Sequence, residues 1–187
     1  MIRSIDVHSR AGYRDHCILH LMAHYGLRPS EVVALRMDSI DWDAAVLHVV
    51  QRKTRSDLFL PLAPQTLHIL RRYLDSERLP HGTDHPELFL RARCPSGPIE
   101  RWAIGDIFKK RVREAGIKLP GRNVYRLRHT FAMRLLTRGV GVKAIGDLLG
   151  HRSLESTCAY LRLDVEMLRG VALDVPQHRP RQGACHA

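Results

Sequence analysis

The chain has 187 residues, 44% hydrophobic and 26% charged, a balance typical of one globular domain with its own core. Thirty lysines and arginines against nineteen acidic residues give a formal charge of +11, which favours a polyanionic partner such as double-stranded DNA. The four cysteines are far apart without a C-x-x-C pair, and no apolar run approaches about 18 residues, which argues against a zinc knuckle, a disulfide framework and a membrane span.

The first predicted helix runs from Tyr13 to Tyr25, because apolar residues recur at helical spacing and Gly26 follows. Its other face repeats His16, His20 and His24 at intervals of four residues. Two imidazoles on one helix can bind zinc, but no acidic ligand lies close in sequence. A solvated or phosphate-facing surface is therefore favoured over a metal site.

A second helix is predicted from Pro29 to Leu35, with Arg28 immediately before it. The proline pushes Arg28 into an extended conformation at the mouth of this helix, where its guanidinium can share an anion with the free amides. Glu31, one turn further along, complements the helix dipole. A structural role is favoured for this acid.

The hydrophobic period then changes from helical spacing to two residues. Segments 46–50 and 58–62 flank a polar loop, which predicts an antiparallel β-hairpin. Lys53 lies in that loop. An ordinary charged hairpin tip is the alternative to a functional lysine.

The middle of the chain is predicted to hold two helices and a linking loop, and only the first of these helices, over 64–79, is predicted to be scaffold. An amphipathic helix over 64–79 is closed by Pro80, an irregular stretch over 81–98 surrounds a short strand at 88–90, and a further helix covers 101–115. The last of these carries a basic cluster that is either solvated or faces DNA, made of Lys109, Lys110, Arg111 and Arg113.

Asn123 can cap a helix that Gly139 ends, with Arg128 near its positive end. A shorter helix follows, and Gly150 turns the chain so that His151 stands before the next one. On that next helix Tyr160 lies roughly 120° from the apolar stripe. A phenol near a histidine and arginines is a candidate nucleophile, although a packing role is the ordinary alternative.

These residues, taken together, resemble the catalytic domain of the tyrosine recombinases, the phage-integrase family. The resemblance rests on Gly26–Glu31, Arg128–Ala132, Leu149–His151 and Tyr160, which occur in the family's order, and it spans about 12 to 169. It implies an α+β fold that is mainly α-helical with a small antiparallel β-sheet. The expected domain is 1–173, with a disordered tail at 174–187. The N-terminal core-binding domain of most relatives is expected to be absent, in a compact recombinase or a fragment of a longer protein.

The resemblance also implies an activity. The family's members are site-specific DNA recombinases or integrases, strand-transferases that cleave and rejoin DNA through a 3′-phosphotyrosine ester without metal, ATP or another cofactor. Carried onto this sequence, it makes Tyr160 the nucleophile and Lys53 the proton donor to the departing 5′ oxygen. The other implied site residues are Arg28, Arg128 and His151 as donors to the phosphate, Tyr125 at the family's histidine position, and Glu31 and His129 in support.

Tyr125 is a departure from the family's pattern. Its hydroxyl can donate a hydrogen bond to a phosphoryl oxygen, but a phenol does not replace imidazole as an acid or base near neutral pH. Reduced activity, or support from His129, is therefore expected. Two alternatives remain open: a catalytically impaired DNA-binding protein, and relaxation of DNA as by a type IB topoisomerase.

The family also suggests partners and a location. Double-stranded DNA is the expected partner, with self-association on it as a dimer or tetramer. The C-terminal helix is expected either to dock on a neighbouring subunit or to fold back in cis. A protein of the bacterial cytoplasm, associated with the nucleoid and not with a membrane, is expected.

Overall fold

The computed structural model describes residues 1–9, 11–51, 56–79, 85–92, 97–119, 121 and 123–150. Helices dominate this part of the chain, and one small antiparallel sheet accompanies them, so the predicted fold class is confirmed. The elements in chain order are α1 (Gly12–His24), α2 (Pro29–Val33), β1 (Ile40–Asp41), β2 (Val46–Gln51), β3 (Ser56–Pro61), α3 (Pro64–Tyr73), α4 (Arg101–Glu114), α5 (Tyr125–Thr137) and α6 (Val142–Leu149). None of the helices in these ranges has the length and apolar character needed to cross a lipid bilayer.

The sheet has the order β1-β2-β3, with both neighbouring pairs antiparallel. The predicted hairpin is confirmed, and its register pairs Leu47 with Leu60 and Gln51 with Ser56. Strand β1 was not predicted, because two residues are too few to show a period. The hairpin therefore ends, at Gln51 and Ser56, next to the loop that carries Lys53; that loop lies outside the described residues.

Helix α1 lies at the centre of the core. Its residues from Cys17 to Met22 are buried, and it contacts both α3 and α5. A second, smaller apolar cluster joins α5 to α6 through Ala132, Ile145 and Leu149. Helix α5 packs on α1 and α6 packs on α5, so α5 connects the first and last described helices.

The region after α3 differs from its prediction. The α-helical bonding ends at Tyr73 and continues as a π-helical turn over Leu74–Arg78, rather than as one helix to position 79. Arg78 points inward, where its guanidinium donates to the backbone carbonyls of His85 and Glu87. The short strand predicted at 88–90 forms only an isolated bridge, between Leu90 and Pro98.

The histidine face of α1 is also different from its prediction, because His20 is buried. Its Nε2 lies 2.9 Å from Thr66 Oγ1, and its ring stacks on that of His24 at 4.3 Å. Burial, and then the neighbouring His24 and His16, lower the pKa of His20 to about 4. The prediction of a solvated surface is therefore wrong for His20. Among the described residues, no cluster is suited to a metal ion.

Arg111 was predicted to be solvated or to face DNA with its basic neighbours, and both are wrong because its side chain is buried. It is 3% exposed, and its Nε and Nη2 donate to Asp15 Oδ2 at 3.0 and 2.7 Å, while Nη1 donates to Glu114. Helical spacing explains the difference, because position 111 follows the buried Phe108 by three residues and so shares its inward face. Lys109, Lys110 and Arg113 are exposed on the opposite side of α4.

Candidate active site

Arg28 stands at the N-cap of α2 in the extended conformation that Pro29 imposes. Its backbone N–H donates to Glu31 Oε2 at 2.7 Å, and its Nη1 donates to Glu31 Oε1 at 2.6 Å. Glu31 is 5% exposed. The anion that Arg28 shares with the start of α2 is therefore the Glu31 carboxylate of the same chain.

Arg128 reaches the same carboxylate from α5. It is 3% exposed, and its Nη1 lies 3.7 Å from Glu31 Oε2. The same Nη1 donates to the carbonyl of Gly26 at 2.5 Å, and Nη2 donates to the carbonyl of Leu149. Two guanidinium groups a hundred residues apart in sequence thus meet at one carboxylate, and this cluster keeps a net positive charge.

The turn that ends α6 is held by both arginines. Gly150 has φ of +59°, a left-handed conformation that glycine adopts without strain, and its carbonyl accepts a bond from Arg28 Nη2 at 3.2 Å. Leu149, one residue earlier, gives its carbonyl to Arg128. Carbonyls at a helix C-terminus carry partial negative charge, so cationic partners suit them. This turn leads directly to position 151.

Tyr125, the first residue of α5, is 48% exposed. It lines an open cavity of about 410 Å³ together with Pro29, the residue that follows Arg28. Trp102 and Lys109 of α4 line the same cavity. About half of the Tyr125 residue is therefore accessible to a ligand in this cavity, whereas His129 on the next turn is half-buried.

The structure thus brings together three of the predicted site residues, Arg28, Glu31 and Arg128, with Tyr125 on an adjoining cavity. Lys53, His151 and Tyr160 lie outside the described residues. Two guanidinium groups beside a single carboxylate can bind an anion of higher charge through several charge-assisted hydrogen bonds.

Sequence reasoning missed Gln51. It is 3% exposed at the end of β2 and lies against Gly150. A signal was present, since Leu47, Val49 and Gln51 share one face of the strand at a period of two. The signal was therefore a polar residue in the third inward position of a strand.

Comparisons with known proteins show what this chain is similar to in sequence. The integrase/recombinase y4gC of Sinorhizobium fredii is 42% identical over 167 residues, which cover 89% of this chain and 85% of that protein. Tyrosine recombinase XerC of Bacillus subtilis is 31% identical over 182 residues, covering 94% of this chain and 57% of XerC. The chain therefore spans most of the first relative and a little over half of the second.

The solved structures show the same fold. A crystal structure of XerA recombinase superposes with a TM-score of 0.73 at 29% identity, covering 91% of this chain and 60% of that one. XerH recombinase bound to its difH substrate gives a TM-score of 0.75 at 17% identity, covering 91% of this chain and 48% of XerH. The family model described as the phage integrase family matches residues 2–167. The resemblance seen in the sequence is confirmed, and the chain belongs to the phage integrase family.

Proposed function

We propose that this chain is the catalytic part of a site-specific DNA recombinase or integrase that cleaves and rejoins DNA through Tyr160. The observation that carries the proposal is the convergence of Arg28 and Arg128 on the buried carboxylate of Glu31. Family membership supports it, because the relatives are named integrases and tyrosine recombinases. Double-stranded DNA is the proposed substrate, and two of the structural neighbours, XerH and the Tn1549 integrase, are complexes with DNA.

The arginine pair suits the transition state of the proposed reaction. A phosphodiester attacked by an oxygen becomes pentacoordinate and gains negative charge, so fixed donors stabilise that state more than the ground state. Arg28 and Arg128 are the proposed clamp, and His151 follows directly after the turn that they hold. Removing one such donor typically costs about 3 to 4 kcal/mol of barrier, or about 10²- to 10³-fold in rate.

The remaining steps fall to residues beyond the described ranges. Tyr160 attacks the phosphorus and keeps the 3′ phosphate as an ester, while Lys53 gives a proton to the departing 5′ oxygen. The ester retains the energy of the broken bond, so a 5′ hydroxyl can reverse the step and join a different DNA end. Tyr125 is proposed to donate a hydrogen bond to a phosphoryl oxygen, since the residue is half-exposed and lines a cavity that Pro29 also lines.

A covalent selection tests the proposal and supplies a substrate. Nicked duplexes with a randomised core are incubated with the protein, and DNA that stays attached in detergent is recovered, sequenced and mapped to the linked nucleotide. The wild-type chain and Tyr13→Phe, a half-buried tyrosine on α1, are expected to form the adduct. Tyr160→Phe is expected to form none.

Other outcomes separate the alternatives. Duplex binding without an adduct would make the chain a DNA-binding protein and refute catalysis. An adduct accompanied by relaxation of supercoiled plasmid, but never by exchange between two duplexes, would favour topoisomerase-like activity.

Assembly on DNA is part of the proposal. We propose that two or four copies gather on a recombination site in the bacterial cytoplasm, with the C-terminal helix of one copy docking on its neighbour. Light scattering of the protein with the selected duplex should give a mass of at least two chains per DNA. Deletion of residues 164–187 should reduce that mass to one chain per DNA.

A further inference from the structure

Gln51 is a buried polar residue on the inward face of the hairpin. It ends β2, follows the buried Leu47 and Val49 at a period of two, and is 3% exposed. Its Oε1 lies 3.4 Å from the hydroxyl of Ser56, the residue opposite it on β3. A buried amide is costly unless polar partners hold it, so this side chain has a defined orientation at the base of the hairpin.

The amide of Gln51 lies directly on the backbone of Gly150. A Cβ added at Gly150 would come within 2.0 Å of Gln51 Oε1 and 2.7 Å of its Cδ. Real Cβ atoms do not approach other atoms so closely, and position 150 also has positive φ. Glycine is therefore required here for two separate reasons, its conformation and the close approach of Gln51.

The same turn is fixed from its other side by the arginine pair. Arg28 donates to the carbonyl of Gly150, and Arg128 donates to that of Leu149. The turn before His151 is thus enclosed between the end of β2 and the two guanidinium groups. Gln51 is a contact by which the hairpin meets this cluster, through Gly150.

We propose that Gln51 is a positioning residue that fixes the base of the β2–β3 hairpin, and with it Lys53, against the arginine-bound turn at Gly150. Lys53 follows Gln51 by two residues, so the orientation of the strand end at Gln51 determines where the loop leaves the sheet. This inference rests on the proposed function, in which Lys53 protonates the leaving oxygen.

Proton transfer is sensitive to such positioning. A general acid must come within about 3 Å of the atom that it protonates, and a displacement of about 1 Å can cost on the order of 100-fold in rate. A loop attached to a strand end that no longer rests on Gly150 would lose this alignment. The arginine contacts would remain, because they do not pass through Gln51.

The test compares an oxygen with a sulfur leaving group on the duplex recovered by the covalent selection. Gln51→Met keeps the length of the side chain and removes its amide. A thiolate leaves without a proton donor because a thiol has a reference pKa of about 8.5. An alkoxide is far more basic and needs a proton as it leaves. We expect Gln51→Met to form the adduct on the order of 100-fold more slowly with the 5′-oxygen substrate. With the 5′-bridging sulfur substrate we expect it to match the wild-type chain.

Two further variants make the result specific. Thr66→Val is the matched control, because it also removes a buried polar group, one that bonds to His20 and not to Gly150. It should cleave both substrates at wild-type rates even if its melting temperature falls. Gly150→Ala should slow cleavage of both substrates, because it strains the positive φ of the turn that Arg28 holds and also meets Gln51. This loss should be smaller in a Gln51→Ala background, which has no amide to clash with.

The outcomes distinguish this inference from the function on which it rests. Normal cleavage of the oxygen substrate by Gln51→Met, or equal slowing by Gln51→Met on both substrates, overturns the positioning role alone. Absence of any adduct from the wild-type chain overturns the proposed function and this inference together.

Discussion

Replacement of His20 by glutamine should make folding less sensitive to acid. The imidazole is buried against Thr66 and His24, and its pKa is lowered from 6.5 to about 4. Above pH 6.5 the group is neutral in both the folded and the unfolded chain and has no effect on the pH dependence. Below that pH the unfolded chain binds a proton that the folded chain does not, so stability falls as the pH falls, until the folded group also titrates near pH 4.

The size of this loss of stability follows from the lowered pKa of His20. The His20 imidazole lowers the free energy of unfolding by about 3 kcal/mol near pH 4 and by about 2 kcal/mol at pH 5. For a chain of this size, about 2 kcal/mol corresponds to roughly 4 to 8 °C in melting temperature. The pKa values of His16 and His24 are lowered as well, first by burial and then by positive neighbours, so the variant should retain part of the wild-type acid sensitivity.

Urea unfolding of the wild-type chain and of His20→Gln, between pH 8 and pH 5, measures the effect. The lower limit avoids most carboxylate titration. His68→Gln, at an exposed position on α3, is the control and should follow the wild-type curve. If the free energy of unfolding of His20→Gln runs parallel to that of the wild-type chain over this range, the histidine is not the acid-sensitive group and the reasoning is refuted.

Three further predictions concern charged residues. Asp15→Ala leaves Arg111 buried without its main partner and should cost about 3 to 5 kcal/mol in the free energy of unfolding, whereas Asp106→Ala, in an exposed pair with Lys109, should cost at most about 1 kcal/mol. Equal losses of unfolding free energy for Asp15→Ala and Asp106→Ala, measured with denaturant, would contradict this. Glu31→Gln removes a charge-assisted contact to the arginine pair and should slow adduct formation about 10- to 100-fold while duplex binding is kept. An equal loss of binding and cleavage would argue against it. Lys109→Ala should lower the slope of log affinity against log salt by about 1, and an unchanged slope would place this lysine away from the DNA.

Local patterns predicted the elements well. The period-two segments gave β2 and β3, and the proline after Arg28 and the glycine after Leu149 marked a helix start and a helix end. These signals are local because hydrogen bonding, side-chain alternation and backbone sterics act over a few residues. The convergence of Arg28 with Arg128 was expected from the family resemblance alone, since no local pattern relates two residues so far apart.

The errors have a common physical cause, which is burial by a distant segment. His20 belongs to a polar stripe in the sequence, but Thr66 on α3 covers it in the fold. Arg111 lies in a run of exposed cations, yet its partner Asp15 is 96 residues away, so only the inward helical spacing of position 111 gave a hint. Burial against another element depends on how helices pack, and composition within one element does not contain that information.

The internal carboxylate at the arginine pair has a consequence for selectivity. Glu31 already neutralises one of the two positive charges of Arg28 and Arg128, so an incoming anion meets a smaller net positive charge than the two guanidinium groups alone would present. The attraction for a singly charged phosphodiester is thereby reduced. A species that carries a second negative charge is still attracted more strongly. Glu31 therefore limits how tightly the arginine pair holds intact DNA, while the more highly charged pentacoordinate species remains the better bound of the two.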